Sequence, residues 1–205
     1  MTTRLLLAAW LLMLGLIAHA DEPFDPFAAA GIDARPGAQV PLDTRFTDDS
    51  GTPVTLGDLL DGRPAVLVPV YYNCPNVCGT QLASLFNLLS AVPFELGRDY
   101  VLIVYSFDPR ETPADARAER DRLARRWPRL AGSDAVHLLT GPETSSGRVS
   151  EALGFRYRWD AQIDEYAHAS AVAALSSAGV LVQWLYGLGY QPNDLRLALT
   201  EAGEG

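Results

Sequence analysis

Lysine is absent from the 205 residues, so every permanent side-chain cation is an arginine. Sixteen of them face 25 Asp and Glu and leave a net charge of −9. That balance disfavours a polyanion, and so nucleic acid, as partner. Soft and borderline metal ligands are also scarce: two Cys, two Met and three His. Met1, Met13 and His19 all fall in the first 20 residues. The remainder offers only Cys74, Cys78, His137 and His168. A closed structural zinc site would need all four. Past the N-terminal region no apolar run reaches the roughly 20 residues of a membrane span. No internal repeat or low-complexity segment is present.

The first residues have a pattern of their own. Met1-Thr2-Thr3-Arg4 is weakly positive, Leu5 to Ile17 is apolar, and Ala18-His19-Ala20 is a small-x-small site before Asp21-Glu22. This predicts a cleaved signal peptide over residues 1–20, with an uncleaved membrane anchor as the alternative. Both place the domain outside the cytosol, in the periplasm, where a disulfide can persist. Residues 21–40, rich in Pro, Ala, Gly and acid, read as an extended lead-in. Residues 41–203 read as one domain.

Within that domain strands and helices alternate. Leu42, Thr44 and Phe46 alternate, Asp48 to Thr52 is turn chemistry and Val54 resumes, which predicts a hairpin. Ala65 to Tyr71 and Tyr100 to Ser106 are continuous apolar runs of the kind buried on both sheet faces. Leu82, Leu85, Phe86 and Leu89 stand at helical spacing, and Cys78 continues their stripe. Thr112-Pro113 with Asp115 is an N-cap signature for a helix expected to run to Trp127, where Pro128 stops it. Val136 to Leu139 predicts a strand, and a helix follows from Thr140 to Leu153. Phe155 to Trp159 predicts a short strand and Asp160 to Tyr166 an acidic loop. Ala171 to Leu175 and Val180 to Tyr186 form a hairpin, and a last helix covers Asn193 to Glu201. The fold class is α/β: a thioredoxin-like mixed central sheet flanked by helices, with an N-terminal hairpin extension.

Chemistry concentrates in Tyr71-Tyr72-Asn73-Cys74-Pro75-Asn76-Val77-Cys78-Gly79, at the junction of a strand and a helix. Residues four apart share a helix face, at a separation a disulfide can bridge. The helix N-terminus favours a thiolate over a thiol, and Pro75 stiffens the intervening loop. An inert disulfide is the plainer alternative. Against it, so short a loop yields little chain-entropy stabilisation. Two thiolates prefer soft metals, copper above all. With one histidine they permit a three-coordinate copper site with an open position. His137, on a predicted strand, reads as a half-buried strand residue. His168 follows the acidic residues Asp160, Asp164 and Glu165 and precedes a strand. Its position alone leaves ligand and solvent-facing residue equally open.

Three segments in order resemble the Sco/SenC family. They are Tyr71 to Cys78, Ser106-Phe107-Asp108-Pro109-Arg110-Glu111-Thr112-Pro113, and His168-Ala169-Ser170. Tyr186-Gly187 and Asp194-Leu195-Arg196 are similar too, so the likeness spans roughly Pro41 to Ala202. The resemblance implies a thioredoxin-like fold and a copper ion, Cu(I) or Cu(II), held by Cys74, Cys78 and His168. Asp108 would shape the site without being a ligand; as a plainer alternative it is a turn residue before Pro109. The implied role is a metallochaperone. It would supply copper to the binuclear copper site of cytochrome c oxidase, keep that site's thiols reduced, or serve another copper acceptor. Many members carry Asp at the position of Asn76 and Pro at that of Gly79, and most keep a membrane anchor. These departures bear on the partner more than on the metal.

Two rival functions use the same cysteines. A thiol–disulfide oxidoreductase would work through Cys74 and Cys78 with exchange partners and without metal or His168. Its usual C-x-x-C spacing and late proline are missing here. A thiol peroxidase would want Thr three residues before the reactive Cys, where this chain has Tyr71.

Overall fold

In the computed structural model residues 24–204 are described; the leader expected over residues 1–20 lies outside them. Along the chain the elements are α1 (Pro26–Ala29), β1 (Gly31–Ile32), β2 (Arg45–Asp48), β3 (Pro53–Thr55), α2 (Leu56–Leu60), β4 (Ala65–Val70) and α3 (Cys78–Leu89). There follow β5 (Val101–Ser106), α4 (Pro113–Ala124), α5 (Pro128–Ala131), β6 (Val136–Thr140) and α6 (Glu143–Leu153). The chain closes with β7 (Phe155–Asp160), β8 (Glu165–His168), β9 (Ala171–Leu175), β10 (Leu181–Tyr186) and α7 (Pro192–Glu204). Among the described residues no helix is long and apolar enough to cross a membrane.

The main sheet has the order β10-β9-β4-β5-β6-β2-β3. β4, β5 and β6 are parallel, and the hairpins β9-β10 and β2-β3 add antiparallel strands on either side. Every residue of β4 and β5 is buried, as their unbroken apolar composition requires of strands covered on both faces. Pro69 is tolerated in this central strand because the pairing of β4 with β9 has ended at Leu67. α3 turns Cys78, Leu82, Leu85, Phe86 and Leu89 inward. Full burial of each Leu contributes about 1.5–3 kcal/mol. The mixed sheet with an N-terminal hairpin is the architecture the sequence predicts.

Three regions differ from expectation. α4 stops at Ala124, and Pro128 opens the separate single turn α5 instead of merely ending a helix. Proline is at home at a first helical position, where its missing N–H has no partner to lose. The acidic segment is shorter than expected: the chain turns after Asp160 and pairs back as β8. The lead-in is built into the fold. β1 pairs with β7, completing a second, three-stranded sheet of order β1-β7-β8. This attachment needs Gly154, which ends α6 in the left-handed region at φ +73°. Its carbonyl accepts a hydrogen bond from the Asp33 N–H at 2.8 Å. A Cβ there would lie 1.9 Å from the Asp33 carbonyl oxygen.

Candidate metal centre

β4 ends at Val70, and the chain turns through Tyr72 and Asn73 before α3 begins at Cys78. Only the second cysteine is therefore helical; Cys74 sits in the turn ahead of the helix. β9 runs antiparallel to β4 with Leu67 opposite Ala173. Carried four residues further, that register brings Ala169 alongside Tyr71. So the segment before β9 must return His168 to the mouth of the cysteine turn.

The Cys74 and Cys78 sulfurs and a ring nitrogen of His168 lie within 4.8 Å of one another. Nε2 of His168 is 3.4 Å from the Cys78 Sγ, and Nδ1 is 3.0 Å from the Ala169 carbonyl oxygen. That carbonyl fixes Nδ1 as the protonated nitrogen and leaves the Nε2 lone pair facing the sulfurs. The histidine ring is held edge-on by Tyr71 at 5.8 Å and Phe107 at 5.2 Å between centroids. Both cysteines are free thiols; Cys78 is buried and Cys74 half-buried. The Cys74 thiol is held well below its ordinary range, chiefly because the Cys78 thiol donates to it. The Tyr71 hydroxyl and the Cys78 N–H add to this, against the opposing effect of burial. Cys78 is pushed up, because it is the donor to its neighbour and is desolvated. Of the two sulfurs the more accessible one, Cys74, is therefore the more easily ionised.

The donor set suits a soft, low-coordinate ion. Metal–sulfur bonds of about 2.3 Å set the ligands of a trigonal centre about 4 Å apart, and the three donor atoms here lie within 4.8 Å of one another. Two sulfurs and one imidazole favour copper over hard cations. Among the described residues this is the one grouping of three such ligands.

The other residues singled out in the sequence sit elsewhere. His137, on β6, lies near the opposite end of the parallel strands, by Asp58, Arg63 and Asp134. Asp108 is buried and does not join the ligand cluster. Its carboxylate takes a two-pronged ion pair from Arg110, at 2.9 and 2.6 Å. The Arg110 guanidinium lies 4.2 Å over the Trp159 ring. Tyr166 packs edge-on against Trp159 and Phe107, which links the Asp108–Arg110 pair to the rings around His168.

Three features escaped the sequence reading. Glu111 is buried, and its carboxylate accepts from the Tyr72 and Asn73 N–H groups at 2.8 and 2.6 Å. In the sequence it reads as one more acid ahead of a helix. Asn76, between the cysteines, donates to Glu165 on β8. Pro26, Phe27 and Ala30 of the lead-in form one wall of a 410 Å³ cleft whose floor includes Cys74 and His168. Nothing in the local composition signals that docking.

A mixed α/β sheet with a dithiol at the mouth of a helix defines a thioredoxin-like protein, here with a histidine returned to the sulfurs. The chain matches the SCO1/SenC family over residues 33–195 and belongs to that family. Among solved structures it resembles a protein from Aquifex aeolicus VF5 at 23% identity and TM-score 0.73, covering 83% of this chain and 95% of that one. It resembles Arabidopsis thaliana ScoI with copper bound at 18% identity and TM-score 0.62, covering 85% and 97%. A third, BsSco, described as a member of the Sco family of cytochrome c oxidase assembly proteins, shares 20% identity at TM-score 0.59, covering 82% and 96%. No curated protein matches the chain.

Proposed function

We propose that this protein is an exported copper carrier. Cys74, Cys78 and His168 bind one copper ion, as Cu(I) or Cu(II). The ion is handed to the copper-site subunit of cytochrome c oxidase or to another copper acceptor. The convergence of the two sulfurs and the imidazole within 4.8 Å carries this reading. Membership of a family with copper-bound relatives supports it. Two features suit transfer over storage. Three ligands leave a position open to an incoming one, and the half-buried Cys74 faces the cleft. Asp108 contributes by holding Arg110 against the aromatic wall behind His168. Residues 1–20 act as the export signal.

A second reading, thiol–disulfide exchange at the same pair, is favoured by the lowered thiol of the half-buried Cys74. Copper titration of the reduced protein separates the two. The carrier shows one-to-one binding with sulfur-to-copper charge-transfer absorption. In His168→Ala that binding is on the order of 100-fold weaker, at or above the loss typical of groups that only orient a ligand. Binding unchanged in the variant would remove the three-ligand site. Rapid disulfide turnover without metal affinity would establish the exchange enzyme. Transfer is then scored by metal appearing on the purified soluble copper domain of the oxidase.

A further inference from the structure

Glu111 is a buried carboxylate without a cation among its hydrogen-bond partners. It is 8% exposed, and its three donors are Tyr72 N–H at 2.8 Å, Asn73 N–H at 2.6 Å and Ser106 Oγ at 2.5 Å. Burial pushes its protonation upward, and burying such a group costs free energy unless its bonds are complete. Two of the three donors are the consecutive peptide groups immediately ahead of Cys74. In the same turn the Cys74 N–H reaches the Tyr71 carbonyl at 3.3 Å. The side chains of this turn have other anchors. The Tyr72 hydroxyl bonds the Val104 and Leu139 carbonyls, and the Asn73 amide bonds Asp115. Glu111 holds the backbone itself.

We infer that Glu111 is the positioning residue of the metal centre. By clamping the Tyr72 and Asn73 peptides, its carboxylate sets the turn that keeps the Cys74 sulfur in reach of Cys78 and His168. The inference rests on the ligand set proposed above. It also accounts for the second sequence motif: the segment from Ser106 to Thr112 carries the clamp across from β5 to the cysteine turn. Ser106 completes the carboxylate's bonds but its hydroxyl hydrogen-bonds to neither peptide, so the two residues should separate when substituted.

The test compares Glu111→Gln with Ser106→Ala. In Glu111→Gln one acceptor oxygen becomes an NH₂ group, and a peptide N–H loses its partner. The expected result is copper bound about 10–100-fold more weakly, with a displaced charge-transfer band and altered copper hyperfine splitting. The Cys74–Cys78 dithiol–disulfide equilibrium should also move about tenfold, or about 30 mV for this two-electron couple. Ser106→Ala, which removes one donor to the carboxylate but leaves both peptide bonds to it, should lower the melting temperature and shift the band, the splitting and the couple much less than Glu111→Gln. Should Glu111→Gln fail to fold, Glu111→Asp retracts the same charge by one carbon and is read identically. A folded Glu111 variant with the wild-type band and couple overturns the inference, as does Ser106→Ala reproducing both shifts. The dithiol couple needs no copper. A wild-type protein that binds none would overturn the carrier reading, and the couple would still decide the role of Glu111.

Discussion

Nε2 of His168 stands 3.4 Å from the Cys78 sulfur, although 90 residues separate the two in the chain. Two strand pairings bring them together. β4 delivers the cysteine turn, β9 lies antiparallel to β4, and β8, which ends at His168, is pinned to β7 with His168 opposite Tyr157. The histidine is thus fixed on a strand, and its ring is packed among aromatics.

That ordering makes Phe107 a determinant of the site. It is fully buried, stacks on Tyr157 at 4.5 Å and meets Tyr71, Tyr166 and His168 with centroids 5.2–5.6 Å apart. Phe107→Ala is expected to cost about 3–5 kcal/mol of stability. Phe107→Leu should cost less yet still weaken copper binding, because the ring that fixes the imidazole is gone. Chemical denaturation and competitive copper titration measure the two effects separately. Copper affinity unchanged in Phe107→Leu would show that the histidine is held by its strand alone.

The lowered Cys74 thiol has a pH signature. Cys74 is held low, so in the folded protein it ionises in a range where the unfolded thiol is still protonated. Its stabilisation is complete above the unfolded thiol value of roughly 8.5 and declines as pH falls toward the folded value. Cys78, pushed up, has the opposite sign and subtracts stability only at higher pH. Denaturation of the reduced protein should therefore show stability rising from acid through neutrality, relative to Cys74→Ser, and turning down in alkali. Iodoacetamide should label Cys74 well before Cys78. Equal labelling of the two sulfurs at pH 6 would contradict the assignment.

Much of the frame was legible in the residues. The unbroken apolar runs of β4 and β5, the stripe on α3 and the capping box of Thr112 with Asp115 are local signals, and local physics decides them. The cysteine pair was legible for the same reason. Choosing His168 over His137 was not, because the choice depends on the register of β9 against β4, a contact between distant segments. Resemblance, not periodicity, pointed to His168. Glu111 stayed hidden because its partners are peptide N–H groups, which any residue carries. The docked lead-in stayed hidden because a Pro- and Ala-rich segment has no pattern until β7 offers it an edge.

His137 supplies the contrasting titration. Burial lowers its proton affinity, and Arg120 and Arg63 lower it further, against weaker pulls from Asp48 and Asp49. It stays neutral in the folded state below pH 6.5 while the unfolded chain takes up a proton. The sign is a loss of stability as pH falls below about 6.5. His137→Gln should blunt that acid sensitivity and leave copper titration unchanged. Weakened copper binding in this variant would mean that the end of the sheet far from the cysteines takes part in the site.

Gly154 tests whether the lead-in governs access to the sulfurs. The family match begins at residue 33, so α1 and β1 stand ahead of it, yet they wall the cleft over Cys74. Their anchor is the Asp33 backbone against Gly154, reinforced by Asp33 pairing with Arg156 at 3.0 Å. Gly154→Ala meets two penalties. An L residue in the left-handed region costs about 1–2 kcal/mol, and the added methyl would sit 1.9 Å from the Asp33 oxygen. The chain must give way there, and the segment that can leave at least cost is the one ahead of residue 33, which α6 and β7 do not need for the main sheet. The variant should therefore remain folded, cleave faster with protease between residues 24 and 33, and show a severalfold faster alkylation of Cys74. If alkylation stays at the wild-type rate while the protease cuts, the lead-in covers the cleft without limiting what reaches the thiolate.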